Sequence, residues 1–171
     1  PMATLLTGNR KLPSLVGVSV HEAAHSWYQG VLATNESLYA WMDEGFTSFA
    51  AQETMDYLFR SGMPTGHESA YNSYFDIVKE GKEESLDTHA DHFETNYAYG
   101  TAVYSKGEVY LAQLEYIVGP YHFRTALLNY FNTFKFKHPD HYDFIRTMEK
   151  QSGMELDWYN EYFVNTTKTI D

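Results

Sequence analysis

The chain contains no cysteine in its 171 residues. This absence excludes disulfide bonds, thiolate metal sites and cysteine nucleophiles, although it does not fix the compartment in which the protein works. Basic residues are also scarce, since 12 Lys and Arg stand against 23 Asp and Glu and give a formal net charge of -11. Because such a surface repels phosphate backbones and anionic lipid, nucleic-acid binding and electrostatic membrane binding are both disfavoured.

Long apolar runs are missing as well. The longest, Ser14 to Val20, is far too short for a membrane-spanning segment, and no signal peptide opens the chain. The content of 43% hydrophobic and 17% aromatic residues argues against disorder. The length predicts a single domain, residues 1–171, able to bury about 70% of the surface of its unfolded form. Because the first residues are Pro1-Met2, we expect a piece of a longer protein.

Helical periodicity through almost the whole chain predicts a mainly α fold. The predicted helices run from about Leu12 to Gly30, from about Leu38 into Phe59, from Thr65 to Gly81, from near Thr101 to Gly119, from Pro120 through Phe131, from Asp140 to near Gly153, and around Leu156 to Phe163. Thr65 and Glu68 form a capping-box pattern. Residues 81–96 predict a surface loop, and we interpret the acidic cluster Glu80–Glu84 as a solvated helix end. Only Ala3–Leu6 resembles a strand, and weakly.

The first predicted helix contains the segment His21-Glu22-Ala23-Ala24-His25. Two histidines at i and i+4 lie about 40° apart around a helix and one turn along it, so both imidazoles can reach one metal ion. Glu22 lies just off that face, where its carboxylate can take a proton from a water that the metal activates. Ordinary helix histidines beside a solvated carboxylate are the less favoured interpretation.

A four-coordinate catalytic zinc needs a third protein ligand and one open position. The metzincin arrangement would place a histidine at position 31, where Val31 stands, so it is excluded. The other common solution is a carboxylate from the next helix, and Glu44 offers one after 18 intervening residues. That length is enough to finish one helix, turn and return antiparallel. The Trp and Gly-Phe residues that flank Glu44 disfavour the alternative that it is only an exposed acid on the surface.

A second group of possible ligands, His89 with Asp91 and His92, lies in the predicted polar loop. Because no regular element would hold these side chains in place, a solvated loop is favoured there over a second metal site.

The zinc-site pattern resembles the gluzincin aminopeptidases, the family of alanyl aminopeptidase and leukotriene hydrolase. Tyr104 lies in Val103-Tyr104-Ser105-Lys106-Gly107, which is similar to the Tyr-x-Lys-Gly segment of that family and follows Glu44 by 60 residues. The resemblance covers most of the chain, and its motifs are His21-Glu22-Ala23-Ala24-His25, Trp41-Met42-Asp43-Glu44-Gly45-Phe46, Val103–Gly107, Phe134–Pro139, Asp143-Phe144 and Trp158.

The resemblance implies the helical part of a thermolysin-like zinc metallopeptidase catalytic region, with one Zn²⁺ per chain. His21, His25 and Glu44 would bind the zinc. Glu22 would act as general base and later pass the proton to the leaving amine. Tyr104, for which core packing is otherwise the default explanation, would donate a hydrogen bond to the oxyanion. The implied reaction removes the N-terminal residue of peptides, and the implied partners are peptide substrates and the remaining domains of the parent protein.

The sequence departs from the family in two places. Relatives carry a Gly-x-Met-Glu-Asn motif, whose Glu holds the free α-amine of the substrate, and an N-terminal β-domain. The 171 residues include neither, so we expect the isolated chain to be weakly active. Relatives also place an acid seven residues after the third ligand to support a zinc-bound histidine. Ala51 stands there instead, and the supporting group is left unidentified.

Two other functions stay open. A thermolysin-type endopeptidase would typically have a ligand spacing one residue longer and no Tyr-x-Lys-Gly segment. A catalytically silent zinc-binding or scaffold domain would need neither Glu22 nor Tyr104. The sequence does not determine side-chain specificity or oligomeric state, and export of the parent protein is compatible with it.

Overall fold

The computed structural model describes residues 12–59 and 66–168, and the regular structure within these ranges is helical. The α-helices are α1 (Leu12–Tyr28), α2 (Ala40–Phe59), α3 (Glu68–Lys79), α4 (Asn96–Gly100), α5 (Gly107–Val118), α6 (Pro120–Phe134), α7 (His141–Ser152) and α8 (Asp157–Asn160). Two π-helical segments, Thr101–Lys106 and Glu161–Asn165, and a 3₁₀ turn, Ala90–His92, are interspersed among them. The prediction of a mainly α region is confirmed.

Two sequence expectations, the weak strand at Ala3–Leu6 and the capping role of Thr65, lie outside the described residues. Of the helices in the described ranges, none has both the length and the apolar character needed to cross a bilayer.

Local signals set several helix ends. The Asp140 carboxylate accepts hydrogen bonds from backbone N–H groups in the first turn of α7, and Asp143 accepts one in return from the Asp140 N–H. Gly153, at a φ of 73°, closes the same helix in the left-handed conformation that favours glycine. Gly119 separates α5 from α6, and Pro120 occupies the first turn of α6 as predicted.

The helix that carries Tyr104 begins earlier than the predicted start near Thr101. The Thr95 hydroxyl accepts a hydrogen bond from the Ala98 N–H and caps α4. From there the chain stays helical through the π-helical segment into α5. A π-helical stretch is rare and often marks a functional site, and a pattern of period 3.6 does not signal it.

The core is largely aromatic and joins α2 to α5 and the C-terminal helices. The Trp41 and Tyr110 rings meet edge to face with centroids 4.9 Å apart. Tyr110 stacks on Tyr159 at 5.0 Å, and the Tyr159 hydroxyl donates a 2.7 Å hydrogen bond to the Tyr110 carbonyl. Such ring pairs contribute about 0.5–1.5 kcal/mol each beyond the burial of their area. The core therefore fixes α2 and α5, from which the candidate site is built.

Segment 81–96 is more than a solvated loop. Leu86 is buried in the core, and the Ser85 hydroxyl donates a hydrogen bond to the Val164 carbonyl. The Glu83 carboxylate lies 2.7 Å from the Lys106 ammonium. The interpretation of the acidic cluster as a solvated helix end is therefore wrong for Glu83, because its partner comes from a distant part of the chain.

Helix α2 crosses the start of α5 at two glycines. A Cβ atom on Gly45 would lie 2.8 Å from the Gly107 Cα, and one on Gly107 would lie 3.0 Å from the Gly45 Cα. Because side chains do not tolerate such separations, only glycine permits this approach of two backbones. Gly45 follows Glu44, and Gly107 lies one helical turn after Tyr104, so the crossing brings the two functional candidates together.

We expect Gly45→Ala to lower the free energy of unfolding by about 1–3 kcal/mol, because the obstructing Gly107 atoms are backbone and cannot rotate away. Urea unfolding measures the change. Gly100→Ala is the matched control, since a Cβ there meets nothing within 4 Å and the residue is helical. The control should keep or raise stability by up to about 1 kcal/mol. A Gly45→Ala protein as stable as the control would contradict the close crossing.

Candidate metal centre

Three potential ligand atoms meet between α1 and α2. His21 Nε2 and His25 Nε2 lie 3.1 Å and 3.3 Å from Glu44 Oε2, and the two nitrogens are 3.2 Å apart. Ligands at about 2.0–2.1 Å around a tetrahedral zinc are about 3.3–3.4 Å from one another. The triangle therefore has the size of one face of such a tetrahedron. Within residues 12–59 and 66–168, no other His, Asp and Glu side chains form a group of three at ligand distance.

The two helices explain this convergence. Helix α1 places its histidines one turn apart, with ring centroids separated by 4.8 Å. Glu44 lies in the second turn of α2, which packs against α1. The three side chains stay between 18% and 24% exposed. One side of the triangle is thus accessible, as the open position of a catalytic zinc requires.

The Asp43 carboxylate contacts the ring nitrogen of His25 that lies outside the ligand triangle. Its Oδ1 lies 2.5 Å from His25 Nδ1, and the Thr47 hydroxyl lies 3.4 Å from the same nitrogen. Burial raises the pKa of Asp43, and the charge and hydrogen bond of His25 partly oppose this effect. Sequence reasoning missed Asp43, although it stands directly before the predicted ligand Glu44.

The Glu44 carboxylate stays ionised despite its partial burial. Burial alone would raise its pKa, but hydrogen bonds from His21 and Tyr104, together with the two imidazole charges, outweigh burial and lower the pKa. An ionised carboxylate is the form that binds a metal.

Tyr104 lies against this group from the π-helical segment Thr101–Lys106. Its ring stacks on His21 with centroids 5.9 Å apart and planes 19° apart, and its hydroxyl is close enough to the Glu44 carboxylate to interact with it electrostatically. Burial, followed by the hydrogen bond and charge of Glu44, raises the pKa of Tyr104 well above its usual value. The phenol is therefore protonated at neutral pH and available as a donor.

Lys106, from the same segment, faces a different environment. Its Nζ lies 2.7 Å from the Glu83 carboxylate and 5.7 Å and 5.8 Å from the ring centroids of Tyr74 and Phe163. Burial lowers the pKa of Lys106, and the charge and hydrogen bond of Glu83 oppose this. Lys106 therefore attaches the π-helical segment Thr101–Lys106 to Glu83 and its aromatic neighbours, and it does not contribute to the metal centre.

Glu22 is exposed on α1, directly after the first histidine. Its carboxylate has no hydrogen-bond or ion-pair partner within the described part of the chain. Glu22 lies on the same helix as the two histidines of the ligand triangle.

The second group of possible ligands does not assemble. His89 Nδ1 accepts a hydrogen bond from the Asp91 backbone N–H, and the rings of His89 and His92 are 4.8 Å apart. Among the described side chains, no third ligand joins them.

Comparisons with known proteins find similar sequences. The family model described as "Peptidase family M1 domain" matches residues 5–163. Leucine aminopeptidase 2 of Aspergillus fumigatus is 33% identical over 165 residues, which cover 86% of this chain and 26% of that protein. Probable aminopeptidase 1 of Saccharolobus solfataricus is 27% identical over 165 residues, covering 86% of this chain and 20% of that protein.

The same likeness extends to solved structures. An M1 zinc metallopeptidase from Deinococcus radiodurans superposes with a TM-score of 0.73 at 19% identity, over 91% of this chain and 34% of that one. At this level of identity the comparison shows a common fold. The chain spans between 20% and 34% of the length of these three relatives.

We expect the purified chain to hold one Zn²⁺, which elemental analysis after gel filtration would measure. His21→Ala and Glu44→Ala each remove one corner of the ligand triangle and should release most of the metal. His92→Ala is the control, because it removes a histidine outside the triangle and should leave the zinc content unchanged. Full zinc content in both ligand variants would rule out this centre.

Proposed function

The chain belongs to peptidase family M1, and on that basis we propose that it is the zinc-bearing catalytic region of an aminopeptidase. The proposed reaction is hydrolysis of the N-terminal peptide bond of peptides. The observation that carries the proposal is the convergence of His21, His25 and Glu44 at one accessible position, with the Tyr104 ring stacked on His21. The aminopeptidase names of two relatives point to the same reaction.

The proposed metal is Zn²⁺, held by His21, His25 and Glu44. Two imidazole nitrogens and one carboxylate oxygen form a donor set that catalytic zinc uses in peptidases. When bound, zinc supplies a Lewis acid that polarises a carbonyl group and lowers the pKa of water. The protein contributes the three fixed donors and the accessible fourth side.

Glu22 is the proposed general base. Its exposed carboxylate has no partner among the described residues, so it can take a proton from the attacking water without breaking an existing contact. The same carboxylate can return that proton to the leaving amine. Because Glu22 follows His21 directly on α1, the ligand and the base are positioned by one helix.

Tyr104 is the proposed oxyanion donor. Burial and the nearby Glu44 carboxylate raise the pKa of Tyr104, which keeps the proton on the phenol at neutral pH. A donor placed there before reaction strengthens its hydrogen bond as negative charge develops on the scissile carbonyl oxygen. The stacking of its ring on His21 holds the donor close to the ligand triangle.

The test of the proposal is Glu22→Gln, assayed on alanyl and leucyl anilides at high concentrations of the zinc-loaded chain. The variant should retain zinc and lose activity by about 10²- to 10⁴-fold, because it removes a base and not a ligand. Glu68→Gln, which changes an exposed helical glutamate on α3, is the matched control and should keep wild-type activity.

The same assay separates the proposed activity from its alternatives. An aminopeptidase should release N-terminal residues one at a time. Cleavage at internal bonds of N-acetylated peptides would favour the endopeptidase. Zinc binding without any turnover would favour the silent domain.

We expect Tyr104→Phe to lower kcat by about 10²- to 10³-fold with little change in KM, as for a donor that acts mainly in the transition state. Steady-state kinetics on leucyl anilide measures both constants. Tyr116→Phe, at a tyrosine that is 89% exposed, provides the control for loss of a hydroxyl. An unchanged kcat with a large rise in KM would instead make Tyr104 a substrate-binding residue.

A further inference from the structure

Two adjacent acids near the start of α2 face the two nitrogens of one imidazole. Glu44 Oε2 lies 3.3 Å from His25 Nε2, and Asp43 Oδ1 lies 2.5 Å from His25 Nδ1. The first contact belongs to the ligand triangle. The second lies on the opposite side of the ring and takes no part in that triangle.

An imidazole can bind a metal through Nε2 only when that nitrogen carries no proton. In the neutral ring, a proton on Nδ1 leaves the Nε2 lone pair free, whereas a proton on Nε2 blocks it. An ionised carboxylate can only accept hydrogen bonds. A carboxylate oxygen of Asp43 at 2.5 Å from Nδ1 is placed to accept a hydrogen bond from a proton-bearing Nδ1, the tautomer of His25 that presents its Nε2 lone pair to the ligand triangle.

No other described contact makes this selection. The Thr47 hydroxyl lies 3.4 Å from His25 Nδ1, and a hydroxyl can donate or accept, so it does not fix the proton. Ala51, at the position where the family resemblance implies a supporting acid, has no polar side-chain atom. Asp43 is only 8% exposed, so water competes little for its carboxylate.

We propose that Asp43 is the positioning residue of the metal centre, which holds His25 in the orientation and tautomer that bind the metal. The inference rests on the proposed zinc function. Asp43 comes directly before the third ligand, Glu44. Its carboxylate is close to His25 Nδ1, as the task of holding this ring requires. His21 is placed differently, by the stacking of its ring on Tyr104.

The test is the zinc dissociation constant, measured on the 171-residue chain by competition with a chromophoric chelator. Asp43→Asn keeps the size of the side chain but replaces the carboxylate by an amide, whose NH₂ group can donate to Nδ1 and favour the wrong tautomer. We expect zinc binding to weaken about 10- to 100-fold, the usual effect of removing such a partner. Thermal melting of the metal-free proteins shows whether the variant is folded.

Two variants serve as controls. Thr47→Val removes the other polar group at the same nitrogen, and we expect the zinc dissociation constant to change less than threefold. Asp87→Asn removes a carboxylate 3.9 Å from a different histidine, His141, and should also leave the constant unchanged. An equal loss of affinity in Thr47→Val and Asp43→Asn would overturn the assignment to Asp43.

A measurement on the unaltered protein decides the question even if Asp43→Asn does not fold. The long-range ¹⁵N–¹H correlation spectrum of the metal-free protein should show the neutral His25 ring with its proton on Nδ1, the nitrogen next to the Asp43 carboxylate. A proton on Nε2 of His25 would overturn the inference. If the unaltered chain binds no zinc, the proposed function fails; if it binds zinc and Asp43→Asn binds it equally well, only the inference about Asp43 fails.

Discussion

The candidate centre depends on how closely α2 approaches the helix that carries Tyr104. At Gly45 and Gly107 the two backbones are in contact, and a Cβ atom on either glycine would come within 3.0 Å of the other residue. Glu44 precedes the first glycine, and Tyr104 lies one turn before the second, so each side chain extends from a point near the crossing. A wider crossing would therefore move the Tyr104 ring, which stacks on His21, away from the ligand triangle.

The π-helical segment is also anchored at its far end, by a buried ion pair. Lys106 is almost completely enclosed, and an ammonium group in that position is tolerated only with a charged partner. Glu83 provides this partner from segment 81–96, whose Leu86 is itself part of the core. A polar loop that carries no candidate catalytic group thereby helps to determine where Tyr104 lies.

The parts of the site that can be predicted from the sequence are those that a single helix determines. The geometry of an α-helix alone places His21 and His25 at one metal ion, and glycines and a capping carboxylate mark several helix ends. Glu44 requires a second helix, so its prediction depended on the length of the intervening chain. Tyr104 was identified by resemblance, since no local feature separates it from the other tyrosines. Asp43 was missed because its role depends on a contact between two helices, and the π-helical stretch was missed because a pattern of period 3.6 does not signal it.

Asp43 and Glu44 are neighbours in sequence, yet their pKa values shift in opposite directions. Burial raises the pKa of Asp43. The charge and the hydrogen bond of His25 oppose this increase, and the charge of Glu44 adds to it. The pKa of Glu44 falls because hydrogen bonds from His21 and Tyr104 and both imidazole charges outweigh burial. The Glu44 carboxylate and the adjacent Asp43 carboxyl group place negative charge where α1 and α2 meet. A divalent cation at the ligand triangle would offset that charge in the folded state only, so metal binding and the packing of α1 on α2 stabilise each other.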